Sequence, residues 1–250
     1  MMNIFKAALI AGAIGMMASA GPAEAGLLTG SFNFTVFTGN TGGVGFNTVS
    51  SANPFSAPAA AAAFTYSGAI DFDNTAAANV GNAGDLNSSF FASAGNSGPN
   101  YGISNFNPIT IPGIFGTAGA PSNANYSTLA NFLASSGSAA NYAYGSFYQI
   151  DLGTLAAGTS LSITHDDGVS VYEGGTQIGT TVSGPTGVTT DRVTIANTGD
   201  TTLYYSRQNG TPSILEVTAV PEPASLGLLG AGLAGLAAIG MIRRRAKAAV

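Results

Sequence analysis

The residues whose types and spacing could do chemistry are His165-Asp166-Asp167-Gly168, with Glu173 a few positions further on. Two neighbouring carboxylates repel one another unless a cation neutralises them. The plainer reading is a turn, because Asp-Gly after a strand commonly folds back with the Asp oxygens accepting from nearby backbone N–H groups. Spacing alone leaves both readings open. His165 is the only histidine of the 250 residues. To activate a serine it would need an orienting carboxylate, and its sequence neighbour Asp166 points to the opposite face of a strand. A hydrogen-bonded histidine at a strand edge is therefore expected. Any two acids could converge for glycoside hydrolysis, but no spacing selects a pair. Asp71-x-Asp73-Asn74 begins like a calcium loop yet lacks the later ligands, and reads as a strand-end turn.

These residues need a scaffold, and the pattern around them is that of strands. Residues 27–38 alternate Phe32, Phe34 and Val36 with Ser31, Asn33 and Thr35, the mark of a half-buried strand. Residues 39–63 read as loop, Gly-rich at first and then Ala- and Pro-rich. A second strand is expected over 64–72. From 73 to 125 the pattern weakens into long loops with short strands, and 126–134 reads as a short helix. Strand signals then recur at 142–150, 160–164, 169–173, 176–178, 192–196, 201–207 and 213–218. Gly174-Gly175 suits a hairpin turn. Turns about every ten residues are the spacing of a β-sandwich. Tyr142, Tyr144, Phe147, Tyr148, Tyr172, Tyr204 and Tyr205 could offer stacking faces to sugars, although strand aromatics more often fill a core.

The two ends read differently from the middle. Lys6, an apolar run over 7–18 and Ala23-Glu24-Ala25 form a signal peptide with cleavage after Ala25. At the other end, 224–242 is uncharged and spans about 28 Å as a helix, enough for a bilayer core. Pro221 and Pro223 bar its extension backwards, and Arg243, Arg244, Arg245 and Lys247 form a basic stop. This topology puts residues 26–220 outside the cytoplasm. Within them Arg192 and Arg207 are the only cations against ten acids, a net charge of about −8, which makes nucleic acid and anionic lipid poor partners. A cation or a neutral glycan suits the balance better. The absence of cysteine excludes disulfides, thiol nucleophiles and cysteine-zinc sites.

Val220-Pro221-Glu222-Pro223-Ala224-Ser225, the Gly/Leu/Ala helix and Arg243-Arg244-Arg245 together resemble the PEP-CTERM sorting signal of Gram-negative bacteria. The resemblance implies recognition by exosortase, a membrane-embedded cysteine transpeptidase, and cutting near Pro221-Glu222-Pro223. The precursor would then be anchored in the inner membrane, and the mature form would sit at the cell surface or in an extracellular, biofilm-type matrix. Signal peptidase would remove residues 1–25.

A second resemblance rests on ITHDDGVSVYEGG and TGDTTLYYSRQNGTPSILEV. These are similar to the protective-antigen-type β-sandwich family, with FTYSGAIDF as an opening strand and a middle that departs from the pattern. The resemblance implies an all-β, antiparallel, jelly-roll-like sandwich. It also implies that Asp166 and Asp167, joined by a cis peptide, could chelate Ca²⁺ that orders sugar hydroxyls, with Asn209 as a further oxygen. Hard Ca²⁺ takes several oxygen ligands, which suits such a set. The expected organisation is a signal helix at 1–25, a leading strand and linker at 26–63, the sandwich at 64–219, and a sorting segment with one transmembrane helix at 220–250. The expected function is non-enzymatic surface or matrix adhesion, with Ca-dependent glycan binding as its molecular form. The alternative is a secreted hydrolase of matrix polysaccharide.

Overall fold

The computed structural model describes residues 25–40, 58–73, 88–96, 98–109, 126–134, 144–182, 186–207 and 213–220. The sorting tripeptide, the apolar segment 224–242, the basic cluster, most of the signal segment including Ala23, and Asn209 lie outside them. Among the described residues no helix is long and apolar enough to cross a membrane.

The chain is all-β. Its strands are β1 Gly26–Leu27, β2 Thr29–Asn40, β3 Pro58–Ala69, β4 Asp71–Asp73, β5 Ile103–Pro108, β6 Tyr144–Leu155 and β7 Ser160–Asp166. They continue with β8 Val169–Glu173, β9 Thr176–Val182, β10 Thr189–Thr194, β11 Gly199–Arg207 and β12 Ile214–Val220. Among the described residues two short helices, α1 Ser88–Ser93 and α2 Leu129–Leu133, interrupt them. One sheet runs β5-β3-β2-β6-β11-β8-β9. The other runs β1-β12-β7-β10, with β4 also paired to β12. Antiparallel pairing includes β2 with β3 and β6, β11 with β6 and β8, and β10 with β7.

Alternation explains which side chains face inward. Phe32, Phe34 and Val36 of β2, Tyr148 and Ile150 of β6, Leu203 and Tyr205 of β11, and Leu161 and Ile163 of β7 share one buried core. Each such side chain removed from water contributes about 1.5–3 kcal/mol. Rings dominate the half near β3 and β4: Phe72 stacks on Phe90 of α1 at 4.5 Å between centroids, and Phe34 on Phe64 at 5.2 Å. The helix expected at 126–134 is present as α2, with Thr128 as N-cap accepting from the Asn131 N–H, and it delivers Phe132 and Leu133 to this cluster.

Two expectations change. The run Pro58-Ala59-Ala60-Ala61-Ala62-Ala63 is strand rather than loop: it opens β3. Alanine has little strand preference of its own, but Ala62 is fully buried in the core beside Val36, its partner on β2. In addition, β2 lies between β3 and β6 inside the seven-stranded sheet, so the leading strand expected within 26–63 is part of the sandwich. The unit with its own packing spans Gly26–Ala219.

The two sheets approach each other where β9 and β10 run side by side. Gly179 of β9 has φ +69°, and a Cβ there would stand 2.8 Å from Val193 Cγ2 of β10. Gly179→Ala should therefore lower unfolding free energy by about 1–2 kcal/mol, through backbone strain and overpacking together. Urea denaturation checks this, read as a lower midpoint at unchanged slope.

Candidate functional site

β7 ends at Asp166, and Asp167-Gly168 carries the chain across to β8 in the opposite sheet. The bond between Asp166 and Asp167 is cis. Both residues are buried, Asp167 completely and Asp166 to 6% exposure. Burial puts ionised carboxyls at a disadvantage, and the adjacent Asp167 carboxylate adds like-charge repulsion and a hydrogen bond. Together these push the Asp166 carboxyl from 3.8 to about 7, with Arg207 pulling the other way.

Neighbouring strands hold this turn from several sides. The Tyr205 hydroxyl of β11 donates to the Asp166 carbonyl, and the ring Nδ1 of His165 bonds the Asp167 carbonyl. The Ser206 N–H donates to the Gly168 carbonyl at 2.9 Å, and the Thr186 N–H to Asp167 Oδ1 at 3.3 Å. His165 Nε2 lies 2.9 Å from Asp191 Oδ2 of β10. Both ring nitrogens thus face acceptors, and each bond is made when that nitrogen carries a hydrogen. His165 is not at a strand edge as expected: it is fully buried, on the same face of β7 as Leu161 and Ile163, because alternation turns its ring inward. No serine hydroxyl is among its hydrogen-bond partners, and its role is to hold a main-chain turn.

The main-chain carbonyls of the Asp pair are committed to Tyr205 and His165, so the carboxyl oxygens are what the turn can offer a ligand. Their position is at one end of the sandwich. Asn40 at the end of β2 faces Tyr144 at the start of β6, and Arg207 at the end of β11 faces Ser146. The chain leaves its strands at that same end after β2 and after β11. Such strand ends, held by a rigid frame, are where loops carry binding residues.

Glu173 is not part of this group. Its two carboxylate oxygens accept from the Ala196 and Asn197 N–H groups, each at 2.9 Å, and so cap the turn between β10 and β11. Asp71 stands opposite Glu216 within the β4–β12 ladder, and the Asp73 N–H donates to Ser93 Oγ; both acids lie in strand β4, and Asn74 lies outside the described residues. Among the described residues no group of three or more His, Cys, Asp or Glu is placed to hold a metal ion.

The aromatic residues divide between the faces. Tyr148 and Tyr205 belong to the inner core. Phe147 and Tyr204 stack at 5.7 Å on the other side of the sheet, with Tyr172 edge-on at 5.2 Å. Phe147 and Tyr204 are buried, so they do not present open faces for stacking; Tyr172 is half-buried. Tyr142 lies outside the described residues.

Two residues of the site were not singled out by sequence. Asp191 had no motif around it. Arg207 carried a signal, since it is one of two cations in the whole middle of the chain and closes an alternating strand.

No family model matches the chain, and no curated protein matches it. Solved structures similar to it include the PA14 sugar-binding domain from RTX adhesin, with 16% identity over 76% of this chain and 87% of that one and a TM-score of 0.38. They also include the PA14 domain of the MpAFP antifreeze protein, with 14% identity over 80% of this chain and 84% of that one and a TM-score of 0.35.

Proposed function

We propose that this is an exported surface or matrix protein that binds neutral glycan without turning it over, through Ca²⁺ held at Asp166 and Asp167. One observation carries the reading: two adjacent buried carboxyls at the loop end of a rigid sandwich, with their main-chain carbonyls already used. A buried pair of this kind is stable when a proton or a cation neutralises it, and carboxylate oxygens suit a hard cation. The flanking segments 183–185 and 208–212 contain no acid, so the other ligands would be neutral oxygens. Asn209 is the candidate among them. A shell with few charged ligands leaves places for water and sugar hydroxyls, which is the chemistry bound Ca²⁺ would supply. The low cation content argues for a neutral rather than an acidic glycan. Export and the sorting tail supply the setting, with signal peptidase and exosortase as processing enzymes.

The test is calcium titration of the protein followed by a glycan array with calcium and with chelator. A Tm rise of several degrees in millimolar Ca²⁺ and retention of neutral glycans only with calcium are expected. Release of sugar products, abolished by one Asp or Glu substitution, would replace this reading with a hydrolase. For the setting, alanines at Pro221-Glu222-Pro223 should leave the full-length chain in the inner membrane, and normal release of that variant would remove exosortase from the account.

A further inference from the structure

A fully buried arginine is costly, because its charge leaves water and must be compensated where it stands. Arg207 is such a residue, with no exposed surface at all. Alternation along β11 puts Leu203, Tyr205 and Arg207 on the core-facing side. Tyr205 pairs with Val169, and the Ser206 N–H donates to the Gly168 carbonyl. Arg207 is the next residue of β11, beyond the point where Ser206 meets the turn that carries Asp167. Its inward neighbour Tyr205 already reaches the Asp166 carbonyl. The other cation of the middle region, Arg192, is exposed on β10, and His165 is engaged by Asp191. The guanidinium at the Asp pair is therefore the permanent positive charge on that side of the turn. Its field also favours the ionised form of Asp166.

We infer that Arg207 and Ca²⁺ are alternative counter-charges for one carboxylate pair, so that the guanidinium keeps the fold intact without metal and sets a weak calcium affinity. This rests on the calcium reading of the site given above. With both carboxyls ionised the turn carries two negative charges, and Arg207 cancels one. A divalent cation arriving there meets a reduced attraction and direct repulsion from the guanidinium. The consequence is a calcium Kd in the sub-millimolar to millimolar range typical of extracellular modules. It is also a fold that survives chelation.

The experiment compares full-length wild type, Arg207→Met and Arg207→Lys at pH 8, by calorimetric calcium titration and by thermal unfolding in chelator and in millimolar calcium. Arg207→Met should bind calcium roughly tenfold to hundredfold more tightly, since a like charge a short distance from the metal is removed. It should melt well below wild type in chelator and recover in calcium. Arg207→Lys, which keeps the charge and loses the planar fork, should keep the weak wild-type affinity. If Arg207→Met binds calcium no more tightly than wild type, or is as stable as wild type in chelator, the inference falls while the calcium reading stands. Should Arg207→Met stay unfolded with and without calcium while Arg207→Lys folds, calcium does not substitute for the guanidinium and the inference also falls. Calcium binding by Arg207→Met alone would mean that the guanidinium excludes calcium outright, which overturns the weak-affinity inference and removes calcium from the proposed function of the wild type. Binding by none of the three would overturn both.

Discussion

His165→Ala is expected to cost about 3 kcal/mol of stability, and to cost the same in calcium and in chelator. The ring is fully buried and bonded at both nitrogens, to the Asp167 carbonyl and to Asp191 Oδ2. Its removal strands a buried carbonyl, leaves Asp191 without the hydrogen bond from Nε2, and opens a cavity in the inner face of β7. In thermal unfolding the loss corresponds to a fall on the order of 10 °C. Asp191→Asn keeps an acceptor and should lose about 1 kcal/mol. A His165→Ala protein that melts like wild type would show that the turn is held without the ring.

The metal-free protein is expected to lose stability as the pH rises from about 4 to about 8. Asp166 titrates at about 7 in the fold against 3.8 as the ordinary value, so between those pH values the folded state holds a proton that the unfolded state has released. The stabilising contribution is complete below pH 4 and is lost as the pH passes through 7. Water around the turn trims the full linkage value, leaving about 2 kcal/mol, or roughly 5 °C in Tm. Asp166→Asn removes the titrating group. Its melting temperature in chelator should be flat over this range, and at pH 8 it should equal or exceed that of wild type. On the calcium site proposed above, millimolar calcium should flatten the wild-type profile as well, since the cation would take over the neutralising role of the proton, and it should do little for Asp166→Asn. A wild-type profile that climbs from pH 4 to 8 in chelator would mean that the carboxyl is not held in an apolar, like-charged setting.

The later strands were legible because their periodicity is clean: Leu161 and Ile163, or Leu203 and Tyr205, alternate with hydroxyl and amide residues, and the turns between them are short. The first half was harder. The alanines that open β3 have no pattern of their own, and what makes them strand is the hydrogen-bonding edge offered by Thr35, Val36, Phe37 and Thr38 on β2. Helix α1 is a single Ser-Ser-Phe-Phe turn whose helicity follows from packing Phe90 and Phe91 onto Phe72 and Phe64. At the site, the Asp pair was visible as an unusual dipeptide. Its supports were not, because Tyr205, Asp191 and Arg207 come from strands that meet it only across the two sheets. Glu173 misled for the opposite reason: it is near in sequence, and β8 carries it to the far end of the sheet.

Gly26 pairs with Ala219 and Leu27 with Thr218, where the Leu28 N–H also donates to the Val217 carbonyl at 2.7 Å. Start and finish of the sandwich are thus stitched together at one corner, alongside Ile70 at the close of β3, and the Asp pair occupies the other extremity. A tug between a gripped ligand and an anchorage at the C-terminal side would run lengthwise down β12. It would have to slide that strand past its flanking neighbours instead of unzipping them one rung at a time, the arrangement that resists traction best.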